Sequence, residues 1–81
     1  MQVTEPVVAD RIETREDALV LVLKEREVAI PWEKCSMRLA AASPEQRRVA
    51  ELSPGGYGIH WPQIDEDLSV SGLLRDLKSG K

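Results

Sequence analysis

The spacing of apolar residues changes along the chain, and the changes mark where strands, helices and turns should fall. From Val7 to Glu13 apolar and polar residues alternate imperfectly, which predicts a first strand. Thr14 to Asp17 is polar and predicts a turn. Leu19-Val20-Leu21-Val22-Leu23 is an unbroken apolar run and predicts a second strand covered on both faces. Lys24 to Arg26 forms the next turn. In the third strand Val28, Ile30 and Trp32 share one face, with Glu27 and Ala29 on the other. Pro31 cannot donate a ladder hydrogen bond, so it marks that strand's end. Three strands in hairpin order predict an antiparallel meander.

The middle of the chain changes to helix. Met37 to Ala42 predicts a short helical segment. Ser43-Pro44-Glu45-Gln46 then combines a capping hydroxyl, a proline suited to the first helical position and a Gln that can complete a capping box. In the helix that follows, Val49 and Leu52 are expected toward the core, with Arg47, Arg48 and Glu51 toward solvent. Ser53-Pro54-Gly55-Gly56 is expected to end it. Tyr57, Ile59 and Trp61 share one face of a fourth strand, with Gly58 and His60 on the other, and Pro62 stops it. Asp65-Glu66-Asp67 reads as an acidic turn. From Ser69 to Leu77, the residues Val70, Leu73, Leu74 and Leu77 make one helical stripe, with Ser69 as its cap and the three carboxylates near the positive end of its dipole.

These elements define an α+β fold. A three-stranded antiparallel meander plus a fourth strand is joined by a short middle helix region, and a C-terminal helix packs on one face. With 81 residues the chain is expected to be a single domain, residues 1–81. Two and a half short helices are too few to cover both faces of such a sheet. Burial of the 19–23 run on both sides therefore implies a partner, either a second copy of the chain or another protein.

The formal net charge of −3, with both signs mixed along the chain, offers no field for holding phosphate backbones and argues against direct nucleic-acid binding. A single cysteine, Cys35, rules out an intrachain disulfide. The start Met-Gln-Val-Thr-Glu-Pro lacks a signal-peptide pattern, and the apolar runs are too short to cross a bilayer. A cytoplasmic location and no membrane partner are the expectation.

The stretch PWEKCSMRLAAASPEQRRVAEL, followed by GYGIHWPQIDEDLSVSGLL, resembles the bacterial domain-of-unknown-function family 2442 (DUF2442) over about residues 28–75. Members of that family carry a similar closing block: Arg-Leu-x-x-Ala, an acidic helix start, Gly-Ile-His-Trp-Pro, Asp-Glu-Asp and Leu-Leu. Departures from the pattern are Lys24-Glu25-Arg26, where relatives often have an Asp-Gly type of turn, and Met37, where proline is common. The resemblance implies a compact α+β fold. Some members are joined to a helix-turn-helix segment, and others sit beside a second small family in arrangements like toxin–antitoxin pairs. It therefore implies, by analogy, a regulatory or antitoxin-like role.

Each set of chemically able residues has a plain structural alternative. His60 with Asp65, Glu66 and Asp67 could bind a divalent metal or exchange protons, yet three carboxylates in consecutive positions lack a diagnostic metal spacing. Cys35 with His60 could pair thiol and imidazole, and Ser36 or Ser69 could act as a hydroxyl nucleophile, but no oxyanion-hole pattern accompanies them. Gly55-Gly56-Tyr57-Gly58 lacks the Lys-Ser/Thr ending of a phosphate loop and is expected to be a turn. Trp32, Tyr57 and Trp61 are expected to fill the core.

The function expected on these grounds is a non-enzymatic protein-binding or regulatory module. It would use no catalytic residue, metal or cofactor, and its partner would be itself or a neighbouring-gene product. His60, Trp61, Asp65, Glu66 and Asp67 are the candidate binding residues. The alternative is a metal-assisted or acid–base enzyme centred on His60 and the Asp65–Asp67 turn.

Overall fold

The computed structural model describes residues 7–79; residues 1–6, read above for a targeting signal, lie outside them. Three strands, β1 (Arg11–Thr14), β2 (Ala18–Val22) and β3 (Glu27–Pro31), form an antiparallel meander in the order β1-β2-β3. The expected hairpin order is therefore present, with Ile12 opposite Leu21 and Leu21 opposite Val28. The first strand is shorter than expected and starts later. Ahead of it, the Ala9 amide donates to the Gly56 carbonyl at 2.9 Å, tying the entering chain to a distant turn.

Beyond the meander, three short helices follow: α1 (Trp32–Cys35), α2 (Met37–Ala40) and α3 (Pro44–Arg48). Trp32 thus opens a helix and does not extend the third strand, because Pro31 ends the ladder and leads into α1. Ser36 caps α2 by accepting from the Leu39 amide at 3.0 Å. The capping box at α3 forms as expected. The Ser43 hydroxyl accepts from the Gln46 amide at 3.2 Å, and the Gln46 side chain accepts from the Ser43 amide at 3.0 Å.

This helix is shorter than its start signal suggested. It closes at Arg48, and Val49 is exposed. Glu51 and Leu52 then form a short strand, β4 (Glu51–Leu52), so Ser53-Pro54-Gly55-Gly56 is a hairpin turn and not a helix stop. Gly55 and Gly56 adopt φ of +88° and +79°, the region where side chains are disfavoured. A Cβ on Gly56 would also collide with the Ala9 carbonyl oxygen, which is why the entering chain can seal this turn.

A second antiparallel sheet follows, in the order β4-β5-β6, with β5 (Gly58–Trp61) between β4 and β6 (Glu66–Ser69). Glu66 and Asp67 were expected in a turn; they are strand residues, held opposite Trp61 and His60. The acidic turn is reduced to Asp65, with φ of 55°. The C-terminal helix, α4 (Val70–Ser79), is capped by the Ser69 hydroxyl, which accepts from the Gly72 amide at 3.0 Å. Its first amide, on Val70, donates to the Tyr57 carbonyl at 2.9 Å, fastening the helix to the entry of β5. Its packed stripe is narrower than expected: Val70 and Leu73 are buried, Leu74 is half-buried and Leu77 is exposed.

One core serves both sheets. Leu19, Leu21 and Ile30 from the first sheet meet Ile59 and Trp61 from the second, with Trp32, Leu39, Val70 and Leu73 from the helices. Val20, on the opposite face of β2, is only 1% exposed within the single chain. Leu19, Val20 and Leu21 are thus buried by the chain itself, while Val22 and Leu23 are half-buried, and burial of both faces of β2 at Leu19–Leu21 needs no second copy. Among the described residues, no helix is long and apolar enough to cross a membrane.

Candidate functional site

Side chains alternate along a strand, so β5 sorts its residues onto two faces. Ile59 and Trp61 point inward and are buried, while Gly58 and His60 share the outer face. Across the outer face, register places Glu51 on β4 opposite His60, and His60 opposite Asp67 on β6. A second row pairs Gly58 with Ser69. Because Gly58 has no side chain, the outer surface is low there. The Ser53 hydroxyl accepts from the Gly58 amide at 3.0 Å and holds the adjacent turn in place.

Around this low point lies an open hollow of about 520 Å³, whose lining includes Pro54, Tyr57, His60, Asp67 and Glu51. Tyr57 was expected in the core, but it is 54% exposed. It precedes β5, and its ring lies against Gly55, where an added Cβ would stand 2.7 Å from Cε2. The glycine therefore provides the shelf on which the ring rests.

Within the hollow, His60 Nδ1 donates to Asp67 Oδ1 at 2.7 Å. The pair is exposed, with side chains 41% and 73% accessible, so its contribution to stability is about 0–1 kcal/mol. Its structural effect is orientation: Asp67 occupies one ring nitrogen and leaves Nε2 as the one available to a ligand.

The other candidate residues are distributed elsewhere. Trp61 is fully buried, and its indole N–H donates to the Arg47 carbonyl at 3.1 Å, so it is a core residue and not a contact surface. Glu66 is half-buried opposite Trp61, and Asp65 is exposed in the turn; neither lines the hollow. The three carboxylates thus separate as turn, inner-row and outer-row residues, and none lies in the first turn of α4. Among the described residues, no group of three or more His, Cys, Asp or Glu side chains could hold a metal ion.

The hydroxyl and thiol candidates have structural duties. Ser36 and Ser69 cap helices. The Cys35 thiol donates to the Ile30 carbonyl at 3.8 Å, and burial pushes its pKa up to about 12, only partly opposed by the charge of Arg47. That group is a poor thiolate nucleophile. Arg47, expected in solvent, is half-buried. Its guanidinium donates to the Leu39 and Ala40 carbonyls, both at 2.9 Å, and lies 5.5 Å from the Trp32 ring centroid.

Sequence reasoning placed His60 and Gly58 on one strand face but missed Glu51 and Tyr57 as members of the site. Glu51 was assigned to a helix, and its cross-strand relation to His60 exists only once β4 pairs with β5.

The fold is thus a small α+β unit in which two three-stranded antiparallel sheets share one core and the second carries an open hollow on its outer face. The family described as protein of unknown function DUF2442 matches residues 9–79, and the chain belongs to that family. It is similar to the crystal structure of a protein of unknown function from Rhodospirillum rubrum ATCC 11170, with 28% sequence identity and a TM-score of 0.75 over 89% of this chain and 88% of that one. It is also similar to the solution structure of an uncharacterised protein from Chromobacterium violaceum, with 31% identity and a TM-score of 0.68. That match covers 84% of this chain but 64% of the Chromobacterium chain, so the latter extends well beyond the shared unit. No curated protein matches the sequence.

Proposed function

We propose that the chain is a non-enzymatic protein-binding module of the cytoplasm that docks a partner on the outer face of its second sheet, in a regulatory role. The observation that carries this reading is the exposed Tyr57 ring, which rests on Gly55 beside the 520 Å³ hollow. A large, amphipathic side chain held ready at a concave surface loses little freedom on binding, which is why tyrosines are favoured at interfaces. Of the residues first suggested for binding, His60 and Asp67 belong to this surface. Trp61 supports it from below, and Asp65 and Glu66 stand outside it.

A photo-crosslinking residue placed at Tyr57, in the cells that make the protein, tests the reading. It should yield a discrete protein adduct that the same residue at Lys34, an exposed position away from the hollow, does not yield. No adduct specific to position 57 would refute it.

A second reading, acid–base catalysis centred on His60, is supported by the 2.7 Å contact with Asp67, which orients the imidazole toward the same hollow. A small molecule that raises the melting temperature of the wild type but not of His60→Gln, with no adduct at position 57, would put catalysis first.

A further inference from the structure

The chemistry of the hollow points to the kind of side chain it takes, an inference that rests on the docking reading above. Two carboxylates, Glu51 and Asp67, stand on its rim, and no Lys or Arg is among the described residues that line it. Asp67 spends one oxygen on His60, whereas Glu51 lies directly across the strand from that imidazole. Each acid is a cross-strand neighbour of His60, so Glu51 and Asp67 flank the imidazole two strand spacings, roughly 10 Å, apart. Pro54 and the exposed ring of Tyr57 give the same lining an apolar, aromatic part. Gly58, which has no side chain, is part of the lining.

A lining that is acidic in part and aromatic in part matches a side chain with an apolar stem and a cationic head. We infer that the hollow receives an arginine side chain from a basic, extended segment of the partner protein. The methylene stem lies along Pro54 and the floor at Gly58, as long basic side chains commonly cover apolar surface. The guanidinium meets the Tyr57 face and pairs with Glu51, while Asp67 stays on His60. Arginine suits the site better than lysine because its planar head can stack on the ring and donate sideways to a carboxylate at once. The charge complementarity gives the occupant: an acidic, aromatic hollow excludes an acidic segment and offers little to a neutral one.

The test uses the full chain, ¹⁵N-labelled, titrated with acetyl-Gly-Gly-Arg-Gly-Gly-amide and with the same peptide carrying citrulline, which keeps the shape and removes the charge. The arginine peptide should move the amide signals of Tyr57, Gly58, His60 and Leu68 saturably. Citrulline should bind about threefold or more weakly, and Glu51→Gln should weaken the arginine peptide by a similar factor, as expected for an exposed charge pair. Added salt should weaken it further.

Equal response to arginine and citrulline would overturn the cationic assignment while leaving the docking face standing. Silence of these four amides with both peptides would overturn it too, and the crosslink at position 57 would decide separately whether the face docks anything. Spermidine binding as tightly as the arginine peptide would overturn the assignment to a protein segment, because a free polycation would then suffice.

Discussion

Trp32 and Trp61 meet edge to face, with ring centroids 6.3 Å apart and planes at 81°, where the helical segment after the first sheet meets the second sheet. Both indoles are buried, and each N–H reaches a backbone carbonyl: Trp32 that of Arg15 at 2.9 Å, Trp61 that of Arg47 at 3.1 Å. The pair thus satisfies its polar atoms while joining the meander's exit to the strand that carries His60. Trp61 serves the site by fixing the strand from below.

Trp61→Phe should therefore cost about 1–2 kcal/mol, the scale for losing the indole's hydrogen bond together with some buried side-chain volume. Trp61→Ala should cost about 3–5 kcal/mol and leave little folded protein, since a domain of this size commonly has only about 5–8 kcal/mol in total. Urea denaturation followed by far-ultraviolet circular dichroism measures both. A Trp61→Ala protein as stable as wild type would show that the indole is not a core element.

The caps and the last helix make a second comparison. Ser43→Ala should lower stability by about 1 kcal/mol, because it removes the hydroxyl that accepts from the Gln46 amide, while the backbone amide that donates to the Gln46 side chain remains. Leu73 is buried and Leu74 only half-buried on α4. Leu73→Ala should accordingly cost about 2–4 kcal/mol and Leu74→Ala visibly less. The reverse order in denaturant midpoints would mean that the helix is rotated on its bed.

Legibility in the sequence followed the range of the forces involved. The capping box at Ser43, the apolar run at 19–23 and the inward pair Ile59 and Trp61 are local patterns, and each appears where the residues said it would. The strand holding Glu66 and Asp67 does not, because acidic residues have poor strand preference and β6 exists through pairing with β5. Val49 and Leu52 have helical spacing, yet the chain leaves the helix at Val49 and pairs Leu52 with Ile59. His60 was legible as part of a surface, being opposite in phase to two buried neighbours. Glu51 was not, since its membership depends on a contact between strands that no local window contains.

Cys35 gives a pH dependence with a definite sign. Its pKa rises from the ordinary 9.0 to about 12 in the fold, so the native state holds the proton more tightly than the unfolded chain. That stabilising contribution is complete below pH 9 and is lost as pH climbs from 9 toward 12. The measurement is the difference in unfolding free energy between wild type and Cys35→Ala, in which contributions common to both proteins cancel. That difference should shift against wild type across the interval. Iodoacetamide at pH 8 should modify the native thiol far more slowly than the same chain in urea. A flat difference, or equal alkylation rates, would contradict burial of the thiol.

Asp65 and Asp67 look alike in sequence but act through different physics, and substitutions separate them. Asp65 holds φ at 55°, a left-handed conformation that Asn also accepts and β-branched residues resist. The cap of α4 is Ser69, not Asp65. Asp65→Asn should leave stability within about 0.5 kcal/mol, while Asp65→Val should cost about 1–3 kcal/mol through backbone strain. If Asp65 instead acted by its charge on the helix dipole, Asn would already lose about 0.3–1 kcal/mol and Val little more. Asp67→Asn removes an exposed ionic partner of His60 and should cost no more than about 1 kcal/mol. Its larger effect should be on the orientation of the imidazole, visible as a change in the His60 ring signals by NMR. Melting temperature should not respond to EDTA or to added Mg²⁺, Mn²⁺ or Zn²⁺, because the carboxylates that would complete a metal shell lie on different faces of the turn and strand. A thermal shift with one divalent ion, abolished in both His60→Gln and Asp67→Asn, would restore the metal-site alternative.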